Sequence, residues 1–377
     1  MLIQRIQKLL FKPIKKIEWV YALYYKLTLA KELNIAKKEM LVCDIKTSQQ
    51  IKNELKAIKD YWKCSYTDFY VFYGLYKKRL HIEDLLDYVP PYYFLNYHQE
   101  VKHKGIDTIK FKNKLNQYHL FKQKGIVTSE LVGIVKDRCL FSRSGDSLSL
   151  SSLIERYFIH ENSKLFFKPV SGEGGSGIFV LKMANSKLVL NNEEVNINQV
   201  VSKLNSSLTY VIEDGIQQRD DISEINPSCV NTLRVIIQDK DEQMHLSVCI
   251  LRMGRHNSDV DNSAQGGLSI QIDSETGRFS DYATAEHGGG TFYTHPDSNF
   301  EFKNKQINGW EDIRGAIMKN AQHLLDFRDI ALDVAITQVG IEIIEMNFGY
   351  GIDHLQSTCG GMRRTLSIRT PKLKFNA

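Results

Sequence analysis

Leu165-Phe-Phe-Lys-Pro-Val-Ser-Gly-Glu-Gly-Gly-Ser-Gly-Ile-Phe-Val-Leu-Lys182 is a strand, a glycine-rich loop and a second strand. Phe166, Phe167 and Val170 before the loop, and Ile178, Phe179 and Val180 after it, suit a pleated, half-buried surface. Gly172, Gly174, Gly175 and Gly177 let the chain take positive φ and bring backbone N–H groups close to a ligand. Lys168, on the strand before the loop, adds a point charge suited to phosphate. A Walker loop carries Gly-Lys-Ser/Thr and opens a helix, and a dinucleotide fingerprint also opens a helix. Here β-branched and aromatic residues follow, so the loop is the tip of an antiparallel hairpin. Two readings remain: a flap over nucleotide phosphates, or an ordinary hairpin tip.

A second segment weighs between them. Asp333-Val-Ala-Ile-Thr-Gln-Val-Gly-Ile-Glu-Ile-Ile-Glu-Met-Asn347 is a β-hairpin, with Gly340 closing a three-residue loop, Gln338–Gly340. That register pairs Thr337 with Ile341 and therefore Asp333 with Glu345. Side chains alternate along a strand, so Asp333, Glu345 and Asn347 share a face. Opposed carboxylates repel unless a cation joins them. Three oxygen ligands without His or Cys suit Mg²⁺ shared with a substrate phosphate, Glu345 bridging two ions. A solvated acidic strand face is the alternative, and the flanking apolar residues weigh against it.

Other segments add candidates. Asn113–Gly125 reads as a helix with a glycine stop, and Lys114 near its start is a second cation within reach of phosphate. Tyr210–Glu213 is an apolar strand running into Glu213-Asp214-Gly215-Ile216-Gln217, placed to meet an adenine and its ribose. Asn231–Gln238 and His245–Met253 read as paired strands, with Asp239–Gln243 as the turn. Arg234 and Arg252 each lie in an apolar run, where arginine requires an anion: a polyphosphate, a substrate carboxylate or a structural ion pair. Asp261–Gly267 and Glu286–Gly290 are further glycine-rich loops, separated by a hairpin turning at Asp273–Gly277. Trp310–Phe327 is an amphipathic helix.

The remaining sequence is mainly helical at its start. Leu2, Ile3, Ile6, Leu9, Leu10 and Ile17 fall at helical spacing among lysines, with Pro13 dividing them. Trp19–Leu33, Lys46–Trp62 and Tyr66–Tyr76 also read as helices, and Pro90-Pro91 marks a boundary. Residues 1–126 hold 24 Lys and Arg against 12 Asp and Glu; the remaining 251 residues hold 25 against 32. The basic excess therefore lies entirely at the start, as a solvated helical face or as a contact for an anionic membrane or polymer. Six dispersed cysteines without a CxxC pair argue against a zinc or disulfide framework and suit a reducing cytoplasm. Apolar runs are too short for a membrane span, and the lysines at the start are unlike a signal peptide.

Phe167-Lys-Pro through Gly177, the Glu213 strand end and Asp333…Glu345-Met-Asn347 resemble the ATP-grasp superfamily. Asn231-Thr-Leu-Arg234, Asp261-Asn262…Gly266-Gly267, His295-Pro296 and Glu345-Met-Asn347…Gln356 resemble, more closely, the sugar-transfer associated ATP-grasp family. The resemblance runs from about Lys114 to about Gln356. It implies an α+β fold in which two subdomains grip ATP, here behind a helical N-terminal region. The expected division is 1–91 (basic, helical), 92–215 (small subdomain with the loop) and 216–377 (large subdomain with the metal site).

By the same resemblance, Lys168 and the loop Ser171, Gly172, Glu173, Gly174, Gly175, Ser176 and Gly177 hold the phosphates of ATP, with Lys114. Glu213, Asp214, Ile216 and Gln217 form the adenine hinge, and Asp333, Glu345 and Asn347 hold Mg²⁺. The implied activity is a cytoplasmic carboxylate–amine ligase working through an acylphosphate. Its substrates are expected to be a sugar acid, amino sugar or amino acid of surface polysaccharide synthesis, with no nucleic acid partner. A kinase acting on a hydroxyl, or an ATP-binding scaffold docked on a glycan assembly complex, shares the same nucleotide apparatus. Two departures stand out. The start is helical where many such ligases have a Rossmann-like domain. Ala331 stands where many carry an arginine, leaving Arg234 or Arg252 to stabilise the acylphosphate.

Overall fold

A computed structural model describes residues 16–371 except 159–162, 173–176, 186, 192, 205, 257, 262–265 and 287–289. The helix expected over residues 2–20 therefore lies mostly outside the described residues. So do Glu173, Gly174, Gly175 and Ser176 of the loop.

The described chain forms two seven-stranded antiparallel sheets. The first contains β1 (Leu131–Lys136), β2 (Cys139–Phe141), β3 (Lys164–Pro169), β4 (Phe179–Ala184), β5 (Lys187–Leu190), β6 (Glu193–Glu194) and β7 (Tyr210–Asp214), in the order β2-β1-β7-β3-β4-β5-β6. The second contains β8 (Thr232–Lys240), β9 (Gln243–Met253), β10 (Leu268–Ile272), β11 (Ala283–Ala285), β12 (Thr291–Phe292), β13 (Asp329–Thr337) and β14 (Gly340–Asn347), in the order β12-β11-β10-β9-β8-β13-β14. This is the α+β architecture expected, with a helical layer from the N-terminal region.

Alternation along the second sheet assigns its two faces. Leu233, Val235, Leu251, Leu268, Ile270 and Leu332 point to one side, where they pack with Ile313 and Ile317 of the helix Trp310–Gln322. Ile236, Val248, Ile250 and Ala331 point to the other side, into a core with Tyr21, Trp62, Phe69, Tyr70 and Phe94. The N-terminal helices are thus a layer on that second face rather than a detached unit. Ala331 is fully buried among them, so the helical layer occupies the space that an arginine there would need. A third core joins the first sheet to the helices Leu150–Tyr157 and Ile197–Lys203.

Several expected boundaries shift for local reasons. The helix expected over Trp19–Leu33 is two, Glu18–Thr28 and Ala30–Val42, broken at Leu29. The Thr28 hydroxyl bonds back to Tyr24 O at 2.9 Å, competing with the backbone ladder there. The helix Ser48–Trp62 starts on a reciprocal cap, in which Thr47 accepts from Gln50 N and Gln50 Oε1 accepts from Thr47 N at 2.7 Å. Tyr66–Tyr76 holds only a short helix, Phe69–Phe72, and a 3₁₀ turn, Leu75–Lys77. The turn between β8 and β9 is Asp241-Glu242 alone, both at positive φ, as a two-residue hairpin turn demands. No described helix is long and apolar enough to cross a membrane.

Candidate active site

The glycine-rich loop joins β3 and β4 as a hairpin, with Phe167 opposite Phe179 and Phe166 opposite Val180. Gly177 sits at φ +78°, and a Cβ there would lie 3.2 Å from the Pro169 ring, so the returning chain requires glycine. At the loop's other end Ser171 bridges to Asn113, and Lys114 N donates to Val170 O at 2.9 Å. This fixes the start of the helix Lys114–Gln123 beside the loop. Asn113 caps that helix by accepting from Asn116 N.

The β13–β14 hairpin differs in its turn from the expected register. Thr337 pairs with Gly340, so the loop is two residues, Gln338-Val339. Left uncorrected, that one-residue change would turn Glu345 to the wrong face. A bulge on β14 supplies the correction: Val334 pairs with Ile343 and Asp333 with Glu345, leaving Ile344 as the extra residue. Asp333 and Glu345 are directly opposed, as the sequence led us to expect, through a different path.

The two sheets face one another across a cleft of about 950 Å³, open to solvent, a size suited to a nucleotide. From the first sheet and its loop it is lined by Phe166, Lys168, Gly172, Ile178, Glu213, Asp214 and the following Ile216. From the second come Thr232, Arg252, Asp333 and Glu345, with Lys114 between. Lys168 and Glu345 therefore wall the same cavity from opposite sides. Ser171, Gly177, Gln217, Arg234 and Asn347 are not among its walls. Gln217 is exposed, whereas Arg234 and Asn347 stand behind Asp333.

Every charged group in the cleft named here except Asp214 has a charged partner. Lys168 Nζ lies 2.6 Å from Glu213 Oε2. Lys114 Nζ donates to Glu345 Oε1 at 3.0 Å and to Gly172 O at 3.2 Å, tying the acidic hairpin to the loop. Arg234 clamps Asp333 in a fork, Nε to Oδ1 at 2.6 Å and a second guanidinium nitrogen to Oδ2 at 2.8 Å. Arg252 reaches Asp333 at 3.3 Å and Asp261 at 3.0 Å. Asn347 Nδ2 lies 3.4 Å from Asp333 Oδ2. Burial opposes the charge on Asp333, but Arg234 and Arg252 outweigh it and hold the carboxyl below its usual range. Burial prevails on Asp261 despite Arg252 and pushes its carboxyl upward. It also raises Asp214.

Arg252 differs from Arg234 in one respect. It lines the cleft, and its Nε has no hydrogen-bond partner among the described residues. That Nε is itself buried, and the terminal nitrogens of the same guanidinium hold Asp333 and Asp261 at the cleft wall. Asp261 and Thr232, which bond each other and hold Arg252 in place, were not singled out as site residues from sequence. Asp261 opens the Asp261–Gly267 loop, and its charge beside glycines was the available signal. Thr232 lay in the Asn231–Arg234 motif but with no role assigned, because only strand pairing sets it beside Arg252.

The donor set fits Mg²⁺ in kind: two carboxylates and an amide on adjacent strands, all hard oxygen ligands. Among the described residues no cluster of three His, Cys, Asp or Glu side chains forms a ready-made cage. Asp333 already receives bonds on both oxygens, so Glu345 is the carboxylate with more open lone pairs.

Residues 96–364 match the model of the sugar-transfer associated ATP-grasp family, and the chain belongs to that family. Its fold is the ATP-grasp fold. Among solved structures, similarity is found to a D-alanyl-alanine synthetase A from Vibrio cholerae (12% identity, TM-score 0.36, covering 70% of this chain and 61% of that one). A carboxyaminoimidazole ribonucleotide synthase from Aspergillus clavatus, complexed with ATP, matches at 11% identity and TM-score 0.39, covering 70% and 53%. A D-alanine–D-alanine ligase from Bacillus anthracis matches at 11% and 0.36, covering 68% and 66%. The matches thus span less than two thirds of each of these proteins. No curated protein matches the sequence.

Proposed function

We propose that the protein is an ATP-dependent carboxylate–amine ligase that joins a sugar acid, amino sugar or amino acid through an amide. The observation that carries this reading is Arg252: a guanidinium on the cleft wall, set beside the acidic hairpin and in the same cavity as Lys168. ATP is a substrate here. Lys168, Lys114 and the loop Ser171–Gly177 take its phosphates, and Glu213, Asp214, Ile216 and Gln217 take its adenosine end. Glu345, with Asp333 and Asn347, would hold Mg²⁺, which when bound neutralises charge on the β- and γ-phosphates.

In the first step a substrate carboxylate oxygen forms a bond to the γ-phosphorus and the bond to ADP breaks. In the second, an amine nitrogen attacks the acyl carbon, inorganic phosphate leaves, and the amine proton passes to solvent. Arg252 bonds the carboxylate and then the developing oxyanion, while Arg234 holds Asp333 in position. The chain supplies orientation and charge neutralisation rather than a covalent nucleophile. We place the reaction in the cytoplasm, in surface polysaccharide or glycoconjugate assembly, with the basic N-terminal region as the contact for a membrane surface or assembly partner.

The test is ADP release across a panel of sugar acids and amino acids with amine acceptors, followed by hydroxylamine trapping. A hydroxamate supports the ligase. A phosphorylated hydroxyl product would replace it with a kinase, and no ADP release with any pair would leave a nucleotide-binding scaffold.

A further inference from the structure

The helix Glu18–Thr28 is anchored by one side only. Val20 and Tyr21 are buried; Tyr21 stacks on Tyr25 with centroids 4.5 Å apart and meets Tyr66 and Tyr92 edge-on. The other side is apolar and faces solvent. Trp19, Leu23 and Leu27 fall at i, i+4 and i+8, hence on one stripe, and are 68%, 43% and 63% exposed. Leu41 and Val42, at the end of the next helix, are exposed as well. Eight of the seventeen exposed large hydrophobic residues among the described ones lie between Ile17 and Ile45. That is a concentration, unlike the single apolar residues any surface carries.

The charge around the stripe has one sign. The seventeen residues up to Ile17 hold Arg5, Lys8, Lys12, Lys15 and Lys16 and no acid. Between Met1 and Lys31 the sole acid is Glu18, and it is turned inward: its Oε1 accepts from Ser65 Oγ and from Tyr66 N, each at 2.7 Å. Lys26 in the helix and Lys31 just after it are exposed. Lys16 is held by Glu100 and Lys37 by Asp68, while Glu39 is held by Lys77. Glu32 and Asp44 are the other acids of this region, and residues 1–45 together hold nine Lys and Arg against four Asp and Glu. An apolar stripe with a tryptophan, set among cations, is the composition of a helix that lies in the headgroup layer of an anionic bilayer.

We propose that this face, with the basic stretch leading into it, seats the protein on an anionic lipid surface. Trp19, Leu23 and Leu27 enter the headgroup boundary, and the lysines meet lipid phosphates. The inference rests on the N-terminal contact included in the proposed function, narrows it to lipid, and does not draw on the ligase chemistry.

The test uses the full-length chain with vesicles of phosphatidylcholine alone, or of phosphatidylcholine and phosphatidylglycerol in equal parts, read by flotation and tryptophan emission. Trp62 and Trp310 are buried, so Trp19 reports the contact. The chain is expected to float with the anionic vesicles and not with the zwitterionic ones, and less so as salt rises. Trp19 emission should shift to the blue and become shielded from acrylamide. The double variant Trp19→Ala with Leu27→Ala should weaken binding to anionic vesicles at least about tenfold. Val339→Ser, at an exposed turn elsewhere, should leave it unchanged. Melting curves confirm that the variants fold. Flotation with neither vesicle, equal flotation with both, or binding unchanged in the double variant overturns the proposal. So does a Trp19 already shielded without vesicles, whether by a second copy, when shielding grows with protein concentration, or by the same chain. ADP release by wild type is measured separately. Vesicle binding without ADP release removes the ligase and leaves the lipid contact, and the reverse pattern does the opposite.

Discussion

Asp333 and Glu345 stand directly opposite one another on β13 and β14, and each is neutralised by a different cation. Arg234 holds Asp333 from the neighbouring strand, whereas Lys114 reaches Glu345 from the helix beside the glycine-rich loop. Each carboxylate is thereby held by its own cation. One is fixed within the sheet, and the other is tied to the flap.

Arg234 should matter first for folding. Its fork on Asp333 is nearly buried, and Arg234→Ala leaves that carboxylate with only the longer Arg252 and Asn347 contacts. Urea unfolding should show a loss of about 3–5 kcal/mol. Arg234→Lys, which cannot form the fork, should recover only part of it.

Lys114 and Lys168 should separate by effect. Lys168→Ala is expected to reduce ADP release at least about a hundredfold while the chain stays folded, as circular dichroism would show. Lys114→Met releases both Gly172 and Glu345, and should raise the ATP KM about tenfold. Unchanged kinetics in Lys168→Ala would remove that residue from the site.

Removing divalent ions with EDTA should abolish ADP release, and Mg²⁺ should restore it. Because Asp333 is already bonded on both oxygens, Glu345→Gln should raise the Mg²⁺ concentration needed for half-maximal rate more than Asn347→Ala does. Equal Mg²⁺ dependence in Glu345→Gln and wild type would argue against Glu345 as the ligand.

His354 gives a pH signature in stability. It is buried against Ser269, and burial, with Arg252 and Arg234 nearby, pushes its pKa down to about 4 despite Glu286. The unfolded imidazole takes a proton below about 6.5, the folded one only near 4, so the unfolded state binds more protons between these values. Stability should therefore fall as pH drops through that window, by up to roughly 3 kcal/mol from this group. Denaturation from pH 7 to pH 4 should be visibly flatter for His354→Asn; parallel curves would remove His354 as the cause.

The local pattern of residues was enough for the hairpin Lys164–Ala184, the β13–β14 pair and the Asn113-capped helix, because period-two alternation, glycines and caps act within a few residues. It also picked out Lys114, Lys168, Glu213, Asp214, Ile216, Arg252, Asp333 and Glu345, all of which the fold brings to one cleft. It did not predict the bulge at Ile344, since a two-residue turn plus a bulge and a three-residue turn both oppose Asp333 and Glu345.

Only tertiary structure decided what each charge faces. Arg234 and Arg252 look alike in sequence, each in an apolar strand. Packing sets Arg234 behind Asp333 and leaves Arg252 on the cleft wall. Thr232, Arg252, Ser269, Thr284 and Thr291 spread over 59 residues of chain, and only strand pairing sets them side by side. Local periodicity fixes which residues become strands and helices. Which side chains meet depends on register and burial between distant segments, and no short stretch of sequence contains that information.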